Sequence, residues 1–173
     1  IAPILLSQPD NLRVLSFLVD LEIRAGKLNE ATKVLAQLEQ LNPSLPVVTL
    51  LKGELAFKNK DLEGARKQFT KVWSRSPSEV AGEKLFKILG MLQQKSAQDK
   101  HLDDWVAKFP NSPLAVLFQA VKYQQKGDRA KAIVGYEKVL KVAPDNVMAL
   151  NNLGWIYFEK GDDSALELLK RAA

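Results

Sequence analysis

The sequence predicts an all-α fold built as an array of helix-turn-helix units, and two observations carry that reading. Pro9, Pro43, Pro77, Pro110 and Pro144 stand 34, 34, 33 and 34 residues apart, and a period of this size marks a repeat architecture. Between these prolines the apolar residues recur about every 3.6 positions, as in Leu12, Leu15, Leu18 and Val19, then Val34, Leu35, Leu38 and Leu41. That is helical spacing, not the alternation of a strand.

The elements follow in order. Residues 1–9 read as the tail of a preceding unit, and 1–173 as one array fragment trimmed at both ends. The first unit, 12–45, holds helices at 11–25 and 28–41, opened by Asp10-Asn11 and split at Ala25-Gly26-Lys27. An Asn or Asp side chain caps the free N–H groups of a first turn, and a glycine takes the left-handed conformation that closes a helix. The second unit, 46–79, has helices at 46–58 and 62–75, with Pro46 where a first helical residue needs no N–H partner and Asn59-Lys60-Asp61 as its break. The third, 80–112, is read as helices at 79–94 and 97–108. Its register is open, because Leu85, Phe86, Leu89, Leu102, Trp105 and Phe109 come without a clean pair of small residues. The fourth, 113–146, runs from Ser112-Pro113 through helices at 113–126 and 129–142, split at Lys126-Gly127-Asp128. The truncated fifth, 147–173, starts after Asp145-Asn146, with helices at 147–160 and 163–172 around Lys160-Gly161-Asp162.

Composition excludes several chemistries. There is no cysteine, so thiolate zinc sites, disulfides and a cysteine nucleophile are absent from these residues, and His101 is the single histidine. No glycine-rich phosphate loop, GxSxG or HExxH occurs, so no catalytic, cofactor or metal residue is assigned. His101 is expected to be a packing or surface residue, and the Asp103-Asp104 and Asp162-Asp163 pairs to be helix-surface charge and turn caps. No apolar run is long enough for a transmembrane segment.

The net charge is +5, and residues 46–108 hold twelve basic and eight acidic groups. Arg66, Lys67, Lys71 and Arg75 share one helix, but no aromatic platform accompanies them, so nucleic acid is not an expected partner. Anionic polysaccharide on this basic middle segment is the alternative partner class.

The slots themselves carry a resemblance. Leu150, Leu153, Gly154, Tyr157, Ala165, Leu169 and Ala172 fill one set, and Val116, Gln119, Ala120, Tyr123, Ala132, Tyr136, Val139 and Pro144 another. Thr49, Lys52, Gly53, Ala56, Ala65, Phe69, Val72 and Pro77 form a third, and Leu15, Leu18, Val19, Glu22, Ala31, Leu35, Leu38 and Pro43 a fourth. This pattern resembles the tetratricopeptide repeat, with Asn151-Asn152-Leu153-Gly154-Trp155 very similar to its consensus. The resemblance implies a right-handed superhelical array in which Gly53, Ala120 and Gly154 meet Ala65, Ala132 and Ala165 where paired helices approach.

It further implies a non-catalytic protein-interaction scaffold whose first helices line a concave groove. The groove-facing slots are Arg13, Ser16, Asp20 and Arg24; Val47, Leu50, Glu54 and Lys58; Leu114, Leu117, Val121 and Gln125; and Met148, Asn151, Trp155 and Glu159. The candidate partner surface is Leu50, Glu54, Lys58, Leu114, Leu117, Val121, Gln125, Met148, Asn151, Trp155 and Glu159, for a protein or peptide segment. The competing reading is that Leu114, Leu117, Val121 and Trp155 only pack between repeats. A chaperone carboxylate clamp is not expected, because its asparagine slot holds Asp20, Glu54, Val121 or Trp155.

More narrowly, Pro46 to Ala56, Trp105 to Ser112 and Ala149 to Tyr157 followed by Ala165-Leu166-Glu167 resemble the repeat lipoproteins of bacterial PEP-CTERM/exosortase systems. That resemblance implies a periplasmic or cell-envelope location, lipid anchoring in a longer chain, and a role in exopolysaccharide or protein sorting. Support of an enzyme domain outside the fragment and weak end-to-end self-association are further expectations.

Overall fold

The computed structural model describes residues 10–173. Among them are ten α-helices and no strand, as the all-α reading expects. They are α1 Leu12–Arg24, α2 Leu28–Leu41, α3 Pro46–Lys58, α4 Leu62–Arg75, α5 Glu79–Met91, α6 Lys95–Lys108, α7 Pro113–Gln125, α8 Arg129–Val142, α9 Val147–Glu159 and α10 Ser164–Ala172. The proposed tail at 1–9 lies outside the described residues. The chain forms two compact units, distinct from the repeats and called the first and second unit from here on, divided near the start of α6, one ending at Gln98 and one beginning at Asp99.

Helix starts follow the capping residues. Asn11 accepts from the Arg13 and Val14 amides, Ser112 from Ala115, Asn146 from Ala149, Asp61 from Gly64 and Asp128 from Lys131. Ser78 caps α5 by accepting from Ala81. In the last turn, where Gly154 and Ala165 stand 11 residues apart against 12 for Gly53 and Ala65, Asp163 makes no side-chain cap, and Asp162 accepts from the Ser164 amide at 2.9 Å instead.

The inter-helix turns repeat one geometry five times. Gly26, Lys60, Gln93, Gly127 and Gly161 all have positive φ, between 57° and 80°. The residue after each donates to a carbonyl five back: Lys27 to Glu22, Asp61 to Ala56, Gln94 to Leu89, Asp128 to Tyr123 and Asp162 to Tyr157, at 2.9–3.0 Å. This is the Schellman closure of a helix end. It places the third break at Gln93, so α5 ends at Met91, three residues before the expected end. The left-handed conformation costs a residue with a Cβ about 1 kcal/mol. Lys60→Gly and Gln93→Gly are therefore each expected to raise unfolding free energy by roughly 0.5–1 kcal/mol, less than the full strain because glycine also loosens the unfolded chain. Urea denaturation of the single variants checks this; Gly26→Ala, at φ 75°, should move the other way.

Each unit has its own core. In the first, Leu15, Val19, Ile23, Leu35, Leu38 and Val48 are buried together. In the second, Val116, Leu117, Tyr136, Val139, Leu153 and Ile156 are. Burial pushes the Tyr136 hydroxyl up to about 12, and it donates to Gln124 Oε1 at 2.5 Å. His101 is 7% exposed and stacks with fully buried Trp105, so it is a packing residue, as expected. The periodic prolines serve the second unit as acceptors: Lys138 of α8 donates to the Pro110 carbonyl at 2.6 Å, and Arg171 of α10 to that of Pro144 at 2.8 Å.

The close approach of paired helices differs from the expected meeting of small residues. A Cβ on Gly53 would stand 2.4 Å from the Phe69 ring, and one on Gly154 would stand 2.8 Å from Leu169 Cγ. Glycine on the first helix thus admits a large side chain from the second. Where the first helix carries Ala120 the partner is Gly135, whose added Cβ would lie 2.7 Å from that of Ala120. In the third repeat Phe86 takes the slot of Gly53 and Gln98 that of Ala65, with the Gln98 amide donating to the Phe86 carbonyl at 3.1 Å.

Candidate peptide-binding surface

In the second unit, α9 presents the most accessible of the expected groove residues. Met148, Asn151, Trp155 and Glu159 recur at three- and four-residue spacing and so share one helix face. Met148 is 50% exposed and Trp155 51%. Phe158, on the same face one turn beyond Trp155, is 61% exposed, and the two rings meet edge to face with centroids 5.5 Å apart. Such a pair stabilises itself by about 1 kcal/mol while leaving both outer ring faces to solvent. Asn151 adds an exposed amide between Met148 and Trp155. Glu159 holds an exposed ion pair to Arg129 at 2.5 Å at the end of the stripe.

The preceding first helix, α7, contributes differently. Leu114 and Val121 are half-buried and Gln125 is exposed. Leu117 is 3% exposed and belongs to the core with Tyr136 and Ile156, so it supports the surface from beneath and is not available to a partner. For Leu117 the packing reading prevails over the groove reading, whereas Trp155 is 51% exposed and is not part of that core.

In the first unit two of the charged slots pair with each other and a third pairs with a neighbouring helix. Asp20 pairs with Arg24 at 2.8 Å, and the Ser16 hydroxyl donates to the Leu12 carbonyl. Arg13 and Lys58 are exposed, while Val47 and Leu50 are half-buried. Glu54 is drawn to Lys84 at 2.8 Å with its side chain only 16% exposed. Beside that pair opens a cavity of ≈ 250 Å³ lined by Phe57, Phe69, Lys84, Lys87, Ile88 and Met91. Phe57 and Phe158 occupy equivalent positions, three residues before their turn residues Lys60 and Gly161, and neither was among the expected site residues. The repeat spacing held that signal. Lys84, Lys87 and Met91 became assignable only with the third break placed at Gln93.

The charge expectations resolve into ion pairs. Lys52 pairs with Glu39, Arg66 with Glu63, Lys87 with Glu83 and Lys108 with Asp104, so four of the twelve basic groups of 46–108 are locally compensated by these pairs. Asp103 accepts from Lys122 at 2.8 Å. The Ser164 backbone amide holds Asp162 below the usual carboxylate range. The Tyr157 hydroxyl is pushed up by burial first and by its bond to Glu137 second. Among the described residues no three His, Asp or Glu side chains group to hold a metal, and no helix is long and apolar enough to cross a membrane.

A tetratricopeptide-repeat family model matches residues 136–166, from the middle of α8 into α10. Solved structures extend the likeness over the chain. One of MamA from Desulfovibrio magneticus RS-1, covering residues 41 to its end, aligns with TM-score 0.68 at 20% identity, over 94% of this chain and 93% of that one. The chain has the fold of a tetratricopeptide-repeat array. YrrB, described as a tetratricopeptide protein with an unusual peptide-binding site, aligns with TM-score 0.65 at 18% identity, over 99% of this repeat chain and 89% of that one. A further match, to the Cut9–Hcn1 heterotetramer of APC/C, has TM-score 0.68 at 20% identity over 98% of this chain and 33% of the other. No curated protein matches the sequence.

Proposed function

We propose that this repeat array is a non-catalytic scaffold that captures a protein segment on the first-helix face of α9. The observation that carries the reading is the exposed Trp155–Phe158 pair with Met148 one face-length away: three large apolar side chains, each at least half exposed, at helical spacing. Aromatic anchors of this kind supply most of the energy in protein recognition. The peptide-binding site named for YrrB supports the same use of the fold. Peptides selected from a random display library against the chain test it, because their binding should fall in a Trp155→Ala, Phe158→Ala variant that stays folded.

The narrower setting we propose is a bacterial envelope-sorting assembly of the PEP-CTERM type, with the protein segment belonging to that machinery. Its support is the resemblance of Pro46 to Ala56, Trp105 to Ser112 and Ala149 to Tyr157. The ion pairing of Lys52, Arg66, Lys84, Lys87 and Lys108 favours a protein partner over an anionic polysaccharide.

A further inference from the structure

On the other side of α7, away from Leu114 and Val121, the second unit holds a cavity of ≈ 370 Å³. Its apolar wall is Val106, Pro110, Val116, Ala120, Val134 and Gly135, from α6 and its end, α7 and α8. The floor is open for a steric reason: Ala120 and Gly135 approach so closely that neither projects beyond a methyl group into the space. Val134 stands over it 65% exposed, an apolar side chain left at the mouth of an apolar hollow. The volume is near the lower end of ligand sites, ~300 Å³, which suits one or two side chains of a partner better than a large cofactor.

The charged lining has one sign, beside the neutral Gln119 and Tyr123. Lys131 and Lys138 border the cavity, and no carboxylate lines it. Lys131 is compensated from outside by Asp128 at 2.7 Å and lies over the Tyr123 ring at 5.3 Å. Lys138 donates to the Pro110 carbonyl at 2.6 Å, a neutral acceptor that leaves its charge uncompensated. Val134 and Lys138 are four residues apart on α8 and so lie one above the other, about 6 Å along the axis.

We infer that this cavity is a second docking site, for an acidic segment of a partner protein that seats a bulky apolar side chain between α6 and α8 and places a carboxylate about one turn away on Lys138. The site is separate from the α9 stripe, so a partner held there leaves Trp155 and Phe158 free for another.

The test uses a labelled helical peptide of roughly 15 residues with two leucines on one face and a glutamate one turn beyond them, followed by fluorescence anisotropy. Saturable binding is expected, weakened about tenfold or more by Lys138→Glu and by exchanging the peptide glutamate for lysine, and retained by the Trp155→Ala, Phe158→Ala variant. Absence of saturation up to ~1 mM peptide, or equal binding by Lys138→Glu and the unaltered protein, overturns the inference. So does loss of binding in the double alanine variant, which would place the peptide on α9. Lys138→Glu also removes the bond to Pro110, so the unaltered chain provides a second readout. The Val106 and Val134 methyl resonances should shift on titration, and unmoved methyl signals overturn the inference independently of any variant.

Discussion

Gly53→Ala is expected to destabilise the protein by about 1–3 kcal/mol, although alanine is the better helix former by about 1 kcal/mol. The added Cβ would lie 2.4 Å from Phe69 Cε1, in a ring that is 1% exposed and would have to shift toward the cavity it borders. Overpacking against a buried ring outweighs the gain in propensity. Gly90→Ala is the control on a helix of the same unit: its Cβ would meet only the Gln98 side-chain amide, the far end of a flexible side chain whose bond to the Phe86 carbonyl would have to shift. The propensity gain and the weakened Gln98 bond nearly cancel, so that variant should stay within ~1 kcal/mol of neutral. Adding Phe69→Leu to Gly53→Ala should recover part of the loss, and the two changes should be non-additive because they share one contact. Chemical denaturation of Gly53→Ala, Gly90→Ala, Phe69→Leu and the Gly53→Ala, Phe69→Leu double variant checks all of this, and equal behaviour of Gly53→Ala and Gly90→Ala would contradict it.

Trp155→Ala with Phe158→Ala is expected to weaken capture of a selected peptide by ten- to a hundredfold, since truncating one aromatic anchor commonly costs ~2 kcal/mol and the two act as one packed pair. The fold should change little. Both side chains are more than half exposed, so the stability cost is limited to about 1 kcal/mol of ring contact. Titration of a labelled peptide against both proteins, with thermal melts alongside, separates loss of binding from loss of fold.

How far these features could be read beforehand depended on whether the chemistry of a residue announces its conformation. Gly26, Gly127 and Gly161 marked their turns because glycine is the usual occupant of a left-handed helix end. Gln93 takes the same conformation with no such mark, so the third repeat had no legible break. Prolines and caps carried most other boundaries, and periodicity carried the helices. Close packing was harder to read: the small residues were visible, but not whether a glycine admits a ring, as at Phe69, or another small residue, as at Gly135.

The site was legible only as a set of slots. Leu117 and Trp155 are both apolar at groove-facing slots, yet one is 3% exposed and the other 51%. Spacing alone does not separate them, because burial depends on which neighbouring helices cover the slot. Phe158 lay one turn past Trp155 and completed the exposed pair, although the expected slots did not include it. The cavity bordered by Lys138 had no sequence mark at all, since it arises where Ala120 and Gly135 fail to fill space between three helices.

The most direct test of the α9 surface is site-specific photocrosslinking in the second unit. A benzophenone amino acid placed singly at Met148, at Asn151 or at Lys141, which is exposed on α8, is irradiated with a selected peptide bound at saturation. The account predicts covalent adducts from positions 148 and 151 and none from 141. Adducts from 141 alone, or none from either position on α9, would contradict it.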